Sequence, residues 1–324
     1  MKGLHIDQFT PDYCPEDKNF TLADYEGEQP RWCKGCGDFA ILTALEKVLA
    51  TNKTPANELV CVSGIGCSSR FPYYLKTFGF HGVHGRALPI STGVNLANPK
   101  LKVVTIMGDG DCFSIGLGHW IHALRYNPNL LVLVFDNEIY GLTKKQTSPT
   151  TPLGTSTRTT PDGPYLPPLN PLKLIMGATG VSFVAQAATW MPAHLTASIQ
   201  KGFEHQGLSF IRVLQRCPMF SPQAFGDGGK QRELFQFITD PEGIRVDPSL
   251  AQVAGQITHD PRDLRAAQEL ANSSDHSENP SPLGLLFQDP SLASYDQIRL
   301  GHLPSLSPKE KGALLMKKLK SYGS

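Results

Sequence analysis

Two oxygen-bearing side chains follow apolar runs that are typical of buried strands. Asp109 lies in the Gly-Asp-Gly-Asp turn 108–111, which comes after the run Val103–Ile106. Asn137 follows the run Leu130–Phe135 in the same way. Glycines let the main chain approach a phosphate closely, and Asp and Asn oxygens suit Mg²⁺, which keeps phosphate and water oxygens as further ligands. The pattern therefore predicts a diphosphate held through magnesium, with two ordinary turns as the alternative interpretation.

Four of the seven cysteines share a context that favours metal binding. Cys33 and Cys36 form a C-x-x-C pair just before a helical pattern. Cys67 and Cys217 each lie just beyond a predicted strand. Four converging thiolates suit a [4Fe–4S] cluster or a structural Zn²⁺; because zinc sites more often combine two C-x-x-C pairs, the pattern favours the cluster and leaves zinc as the alternative. The other cysteines are expected to bind no metal: Cys14, Cys61 and Cys112.

An alternation of strand and helix patterns must position these residues. Val103–Ile106, a helical pattern and Leu130–Phe135 form a βαβ unit with polar turns at the carboxyl ends of both strands. Further strands are predicted over Glu58–Ser63, Val181–Ala185 and Ser209–Leu214, the last of these as the final strand of the sheet. Helices are predicted from Phe39 onward and over Ala87–Asn98, Leu172–Ala178 and Met191–Gly202. The sequence thus predicts an α/β fold with a mostly parallel sheet flanked by helices, in which ligands bind at the carboxyl edge.

Composition divides the chain into three parts. Residues 1–30 have no sustained period and are expected to form an N-terminal arm lying on another surface, with another subunit as one candidate. Residues 31–238 carry the strand and helix patterns and form the predicted cofactor-binding domain. Residues 239–324 include a Ser-, Pro-, Asp- and Asn-rich stretch and are expected to be a largely irregular C-terminal extension. Within the domain, the long loop 147–170 is expected to be functional or covered by a partner.

The overall composition argues against several classes of protein. Charged residues make up 18% and the formal net charge is +1, so a nucleic-acid partner is not expected. No apolar run approaches the roughly 20 residues of a transmembrane helix. The stretch 1–17 has no apolar segment typical of a signal peptide. A cytoplasmic protein with reduced cysteines and no membrane partner is therefore expected.

Several segments in combination resemble one family. They are WCKGCGDFA (32–40), SGIGCSSRFPYY (63–74), HGVHGRALPISTG (81–93), GDGD (108–111), HALR (122–125), DNEIYGLTKKQ (136–146), SPT (148–150) and RCP (216–218). Over residues 31–220 the chain resembles the β subunit of 2-oxoacid:ferredoxin oxidoreductases. It departs from the common family forms at Lys34, where proline is frequent, at GLGH (116–119) in place of GGNH, and at Lys145, where glycine is frequent. None of these departures removes a predicted metal ligand.

The resemblance implies thiamine diphosphate, Mg²⁺ and one [4Fe–4S] cluster as cofactors. The implied cluster ligands are Cys33, Cys36, Cys67 and Cys217. The implied Mg²⁺ ligands are Asp109, Asn137 and the main-chain carbonyl of Ile139. The residues expected to contact the cofactors are Gly66, Cys67, Ser68, Ser69, His84, Gly108, Asp109, Gly110, Asp111, Asn137, Tyr140, Gly141, Leu142 and Thr143.

Four further roles follow from the resemblance as candidates for the reaction itself. His84 and Arg86 are expected near the substrate or cofactor, and a purely structural histidine is the alternative interpretation for His84. Arg70 and Lys144 are candidates for contacts to the substrate carboxylates. The alternative for both is a cation that faces only solvent, which is the commoner case for a single Arg or Lys.

The implied reaction is the oxidative decarboxylation of a 2-oxoacid with coenzyme A to acyl-CoA and CO₂, with electrons passed through the cluster to ferredoxin, or the reverse reductive carboxylation. 2-Oxoglutarate is the first candidate substrate and pyruvate the second. Thiamine catalysis also needs a glutamate on a second module, so the resemblance implies a separate α subunit in an αβ pair or an (αβ)₂ assembly. A non-redox thiamine diphosphate synthase or decarboxylase subunit and a non-catalytic iron–sulfur or zinc protein are the alternative hypotheses.

Overall fold

The computed structural model describes residues 20–247, 255–272, 280–301 and 307–322. Within these ranges one sheet is formed by β1 Leu59–Ser63, β2 Phe78–His81, β3 Lys102–Gly108, β4 Leu130–Asp136, β7 Phe183–Ala188, β8 Leu208–Leu214, β9 Phe235–Thr239, β10 Gly255–Thr258 and β11 Ser281–Gln288. The short strands β5 Ile139–Tyr140 and β6 Gln146–Thr147 form a separate antiparallel hairpin.

The strand order across the sheet is β10-β9-β11-β7-β8-β4-β3-β1-β2. All neighbouring pairs in this described sheet are parallel except β11 with β7. The helices are α1 Asp38–Thr51, α2 Phe71–Tyr74, α3 Ala87–Ala97, α4 Asp109–Phe113, α5 Leu117–Tyr126, α6 Pro171–Met176, α7 Pro192–Glu204, α8 Ala224–Gly229, α9 Leu264–Asn272, α10 Tyr295–Gly301 and α11 Pro308–Ser321. The predicted α/β fold with a mostly parallel sheet is confirmed.

The central strands are buried on both faces, which explains why they read as continuous apolar runs. All seven residues of β4 are buried, and β8 is buried along its whole length. Burying each Val, Leu or Phe side chain stabilises the fold by about 1.5–3 kcal/mol. Because β1, β3, β4 and β8 are consecutive neighbours and parallel, the turns after them meet at one edge of the sheet.

Two expectations for the C-terminal part need correction. The prediction that Ser209–Leu214 is the final strand is wrong, because β8 lies inside the sheet and β9, β10 and β11 follow it in the chain. The region after residue 238 is also more regular than its composition indicates, since it supplies β10, β11 and three helices among the described residues. The physical reason is the short apolar run Leu283–Phe287, which is buried and pairs with β7 although its surroundings are polar. The domain boundary at residues 238/239 stays a prediction.

The described part of the N-terminal arm packs on its own chain. The Tyr25 side chain is fully buried, and its hydroxyl oxygen lies 2.6 Å from the Thr54 carbonyl oxygen and 3.1 Å from that of Leu49, so it can donate to either of them. The Gly27 N–H donates to the carbonyl of Tyr74 at 2.9 Å. Residues 1–19, including Cys14, lie outside the described residues, so the contact of that part of the arm with another subunit stays a prediction.

Among the helices of the described ranges, none has both the length and the apolar character needed to cross a membrane.

A buried histidine in α7 predicts a loss of stability in acid. His194 is 1% exposed, its ring lies 5.1 Å from that of Phe237, and neither ring nitrogen has a hydrogen-bond partner among the described residues. Burial lowers the pKa of His194 from 6.5 to about 4. Because the unfolded chain binds this proton more readily, the residue's full contribution to stability is present above about pH 6.5 and is lost as the pH falls towards 4. The loss should reach about 3 kcal/mol below that range.

The thermal unfolding midpoint, followed by circular dichroism between pH 7 and pH 4.5, measures this effect. His194→Leu should show a weaker acid dependence than the wild type, because an apolar side chain binds no proton. His122→Leu, at an exposed position, is the matched control and should follow the wild-type curve. Parallel curves for the wild type and His194→Leu would contradict the prediction.

Candidate active site

A cavity of about 630 Å³ lies at the carboxyl edge of β1, β3, β4 and β8. It is lined by Ile65, Gly66, Cys67, Ser68, His84, Gly108, Asp109, Gly110, Asp111, Phe135, Asn137, Ile139, Tyr140, Gly141, Leu142, Thr143, Gln146, Thr147, Thr159 and Gln215. The structure therefore brings together every residue that we expected to contact the cofactors except Ser69. Ser69 is fully buried behind the lining, where its carbonyl accepts a hydrogen bond from the Ser63 hydroxyl at 2.7 Å.

The Gly-Asp-Gly-Asp turn packs against an aromatic ring. Tyr140 follows β4, and its hydroxyl donates to the Gly110 carbonyl at 3.0 Å. The ring lies so close that a Cβ on Gly110 would overlap it. Gly110 is therefore required for packing against Tyr140, independently of any ligand. This contact holds the turn after β3 against the turn after β4.

Asp109 is a buried carboxylate that lacks a cationic partner among the described side chains. It is 3% exposed, and its Oδ2 accepts a hydrogen bond from the Thr150 hydroxyl at 2.9 Å. Burial and the neighbouring Asp136 carboxylate raise the pKa of Asp109 to about 7, while the hydroxyls of Ser148 and Thr150 act in the opposite direction. A buried anion next to a second carboxylate is a position at which a divalent cation is favourable.

Asp136 is neutralised separately by a buried arginine. Its Oδ2 lies 2.6 Å from Arg212 Nη2 and 2.8 Å from Arg212 Nε, and both side chains are at most 3% exposed. Arg212 Nη1 also donates to Gln186 Oε1 at 3.0 Å. Arg212 therefore neutralises Asp136, and Asp109 has to be neutralised either by a proton or by a bound cation.

The three predicted Mg²⁺ ligands lie on the same side of this arrangement. Asn137 and Ile139 line the cavity together with Asp109, and β3 and β4 pair with Gly108 opposite Phe135. Asn137 Oδ1 accepts a hydrogen bond from the Ile139 N–H at 3.1 Å, which orients the amide within the turn. Oxygen donors of this kind, next to an unbalanced buried carboxylate, fit a magnesium ion.

His84 contacts the last aspartate of the turn. Its Nδ1 lies 2.8 Å from Asp111 Oδ1, and its side chain is 36% exposed. The same Asp111 oxygen accepts the N–H groups of Ile65 at 3.1 Å and Gly85 at 2.7 Å. Asp111 thus joins the turns after β1, β2 and β3, and an added Cβ on Gly64 would overlap its carboxylate. Asp111 therefore holds these turns together.

The other three candidate catalytic residues do not line the cavity. The Arg70 guanidinium lies 5.7 Å from the centre of the Tyr74 ring, and Arg86 Nη1 makes a long 3.5 Å hydrogen bond to the Ile115 carbonyl. Lys144 is exposed and has a positive φ of 74°, followed by Lys145 with a φ of 76°. Their roles stay predictions, and contact with a substrate would require the substrate to extend beyond the described lining.

The four predicted cluster cysteines lie beside this cavity. Cys67 lines it and lies near the thiols of Cys33, Cys36 and Cys217. A Cβ on the cavity-lining Gly141 would lie 3.5 Å from Cys217 Sγ and 4.0 Å from Cys67 Sγ. Within the described ranges, no three Cys, His, Asp or Glu side chains are close enough to share one metal ion. Four neighbouring cysteines are the ligand set of either a [4Fe–4S] cluster or a zinc ion, so both hypotheses stay predictions.

Burial keeps two of these thiols protonated when no metal binds them. It is the largest of the effects that raise the pKa of Cys67 to about 12, and it raises the pKa of Cys36 further. The fully buried carboxylate of Asp38 adds to both effects. Because metals bind the thiolate, a metal that bound here would have to displace these protons.

Sequence reasoning missed several residues that complete the site. Gln215 lines the cavity directly after β8, and Thr150 bridges two carboxylates from the loop 147–170. Arg212 carried a usable signal, because an arginine inside an apolar strand is rarely buried without an anionic partner. Thr150 carried none, since one threonine in a threonine-rich loop does not stand out.

The comparisons with known proteins agree with this site. Residues 64–213 match the family described as "Thiamine pyrophosphate enzyme, C-terminal TPP binding domain". The 2-oxoglutarate oxidoreductase subunit KorB of Mycobacterium tuberculosis is 44% identical over 216 residues, which are 67% of this chain and 57% of that protein. The 2-oxoacid:ferredoxin oxidoreductase subunit beta of Saccharolobus solfataricus is 34% identical over 278 residues, 85% of this chain and 87% of the relative.

A solved structure extends the similarity to the fold. The 2-oxoglutarate:ferredoxin oxidoreductase of Magnetococcus marinus, determined with 2-oxoglutarate, coenzyme A and succinyl-CoA bound, superposes with a TM-score of 0.78 at 34% identity. The match covers 94% of this chain and 99% of that one. With these similarities over most of its length, the chain belongs to the family of 2-oxoacid:ferredoxin oxidoreductase β subunits.

Proposed function

We propose that this chain is the β subunit of a coenzyme A-dependent 2-oxoacid:ferredoxin oxidoreductase whose first substrate is 2-oxoglutarate. The observation that carries the proposal is that Cys67 and Asp109 line one cavity. The four cysteines therefore border the part of the cavity in which a metal-bound diphosphate fits. A non-redox thiamine enzyme has no use for four cysteines beside its cofactor. A purely structural metal protein has no use for the turn at Asp109.

The chain's own residues would hold two cofactors side by side. Asp109, Asn137 and the Ile139 carbonyl would bind Mg²⁺ of the diphosphate, and the four cysteines would bind a [4Fe–4S] cluster. When bound, thiamine diphosphate supplies the carbon nucleophile for decarboxylation and the cluster supplies a one-electron acceptor. Gly141 lines the cavity next to the sulfurs of Cys67 and Cys217, so little protein separates the two sites.

His84 is the titratable side chain best placed to exchange a proton with a bound substrate. It lines the cavity, and it is partly exposed. Because its Nδ1 faces Asp111, Nε2 is the ring nitrogen that a bound substrate would meet. Arg70, Arg86 and Lys144 stay candidates for contacts outside the lining.

The remaining part of a thiamine site would come from an α subunit. Among the described residues that line the cavity there is no glutamate, the residue type needed against the aminopyrimidine ring. The names of the relatives as β subunits also support a partner chain. We propose an αβ pair, assembled as (αβ)₂ by the usual two-fold symmetry of such enzymes, with ferredoxin as electron acceptor. The cytoplasmic location stays a prediction.

Reconstitution with the α subunit tests the proposal. Reduction of ferredoxin by 2-oxoglutarate should require coenzyme A and both chains, and pyruvate should be the poorer substrate at equal concentration. This chain alone should give no turnover, because the glutamate would be missing. Omission of coenzyme A from the complete mixture is the control. Full turnover by this chain purified alone would refute the arrangement.

A further inference from the structure

Thr150 occupies a tight, buried turn at the start of the loop 147–170. The Ser148 N–H donates to the Thr151 hydroxyl oxygen at 2.8 Å, and the Thr151 hydroxyl donates to the Glu138 carbonyl at 2.6 Å. Ser148, Thr150 and Thr151 are each at most 4% exposed. Because Glu138 lies between Asn137 and Ile139, this turn is fastened to the segment that carries two of the predicted Mg²⁺ ligands.

The Thr150 hydroxyl lies between two buried carboxylates. Its Oγ1 is 2.9 Å from Asp109 Oδ2 and 3.0 Å from Asp136 Oδ1. A hydroxyl has one proton, so it can donate to only one of the two oxygens at a time. Asp136 is already supplied with donors, since Arg212 binds its Oδ2 and the Glu138 N–H donates to its Oδ1 at 3.1 Å. The Thr150 hydroxyl therefore donates its proton to Asp109 rather than to Asp136.

A chain of buried contacts fixes the far side of this arrangement. Arg212 donates to Gln186 Oε1 at 3.0 Å, and Gln186 Nε2 donates to the Pro282 carbonyl at 2.7 Å. Arg212, Gln186 and Pro282 lie on β8, β7 and β11, so three strands of the sheet hold Asp136 in place. Because Asp136 is held and supplied with donors in this way, it leaves the Thr150 proton for Asp109.

We infer that Thr150 is a positioning residue for the divalent cation: its hydroxyl fixes the orientation of the Asp109 carboxylate, and the turn 148–151, fastened to Glu138, holds Thr150. Thr150 holds Oδ2 and the Ser148 hydroxyl also acts on this carboxylate, so Asp109 would keep its orientation towards a metal ion when the cation leaves. The inference rests on the proposed function, because it takes Asp109 as the Mg²⁺ ligand. Groups that orient a metal ligand in this way typically affect metal affinity by about 10- to 100-fold.

Thr150→Val removes the hydroxyl and keeps the shape of the side chain. The assembled enzyme, stripped of metal and thiamine diphosphate, is titrated with Mg²⁺ at a fixed thiamine diphosphate concentration, and the bound cofactor is measured by filtration. The Mg²⁺ concentration for half-saturation should rise about 10- to 100-fold in Thr150→Val. Thr150→Ser, which keeps a hydroxyl, should stay within a few-fold of the wild type.

Thr105→Val is the matched control for loss of a buried hydroxyl. Thr105 is fully buried on β3 and donates to the Ser91 hydroxyl at 2.6 Å, away from the cavity lining. The Thr105→Val variant should lower the unfolding midpoint as much as Thr150→Val does. It should leave the Mg²⁺ concentration for half-saturation unchanged. If Thr150→Val misfolds, the Thr150→Ser and Thr150→Ala variants carry the same comparison.

The outcomes separate this inference from the proposed function. Wild-type Mg²⁺ half-saturation in Thr150→Val, together with loss of binding in Asp109→Ala, would overturn the role of Thr150 and leave the cofactor site standing. Unchanged binding in both variants would refute the cofactor site itself. An equal weakening in Thr150→Val and Thr105→Val would show that Thr150 acts only through general stability, which also overturns the inference.

Discussion

Replacing Asp109 with alanine is expected to abolish thiamine diphosphate binding while the fold and the iron content are retained. The substitution removes the carboxylate whose charge no described lysine or arginine balances, so the diphosphate loses a ligand to its magnesium ion. Removing a residue that only orients a metal ligand typically lowers metal affinity by about 10- to 100-fold. Loss of a direct ligand should therefore weaken cofactor binding by more than about 100-fold. The fold should persist, since the change also removes the repulsion between Asp109 and the buried Asp136.

Binding of thiamine diphosphate to the assembled enzyme by calorimetry measures this effect. Asp109→Asn, which keeps an oxygen ligand without the charge, should fall between alanine and the wild type. Asp162→Ala, at an exposed position of the loop 147–170, is the control and should bind normally. Chelation of Mg²⁺ should reproduce the defect in the wild type. Undiminished cofactor affinity in Asp109→Ala would show that the turn at 108–111 has only a structural role.

Replacing Cys217 with alanine is expected to remove the iron–sulfur cluster. Cys217 follows β8, and its sulfur lies with that of Cys67 beside Gly141, so it would supply one of the four cluster ligands. A cluster that lacks one cysteine ligand is poorly held, and iron should fall from about four atoms per chain to near zero. The visible absorption of anaerobically purified protein should disappear with it.

Iron analysis of Cys33→Ala, Cys67→Ala and Cys61→Ala provides the comparison for Cys217→Ala. Cys33→Ala and Cys67→Ala should match Cys217→Ala, because all three thiols would be ligands. Cys61→Ala is the matched control, since Cys61 is fully buried inside β1 and burial alone raises the pKa of its thiol to about 12. Its iron content should equal that of the wild type. Equal iron in the wild type and Cys217→Ala would refute the assignment of the cluster ligands.

Much of the fold was predictable from local patterns. The runs Val103–Ile106 and Leu130–Phe135 became β3 and β4, because apolar β-branched and aromatic residues suit strands that are buried on both faces. The helix predicted over Ala87–Asn98 appears at Ala87–Ala97. The strand β11 was missed because Pro282 and Gly284 interrupt its pattern, and because its pairing with β7 joins residues far apart in the chain.

The candidate catalytic cations show where local patterns stop being informative. Arg70, Arg86 and Lys144 each adjoin a segment that borders the cavity, and none of them lines it. Which way such a side chain extends depends on the conformation of its turn. Lys144 and Lys145 both have positive φ, which reverses the direction of the chain at the end of the β5–β6 hairpin. Residue type and spacing do not report that conformation.

The sequence by itself determined which residues lie at the ends of the strands. Because parallel strands present their carboxyl ends to one edge, Asp109, Asn137 and Cys67 were bound to meet there once the runs before them became strands. Only the tertiary structure decided the partners of these residues. Thr150 reaches Asp109 across 41 positions and Arg212 reaches Asp136 across 76. Such contacts depend on how a loop and a distant strand pack onto the sheet edge, and no local periodicity encodes that packing.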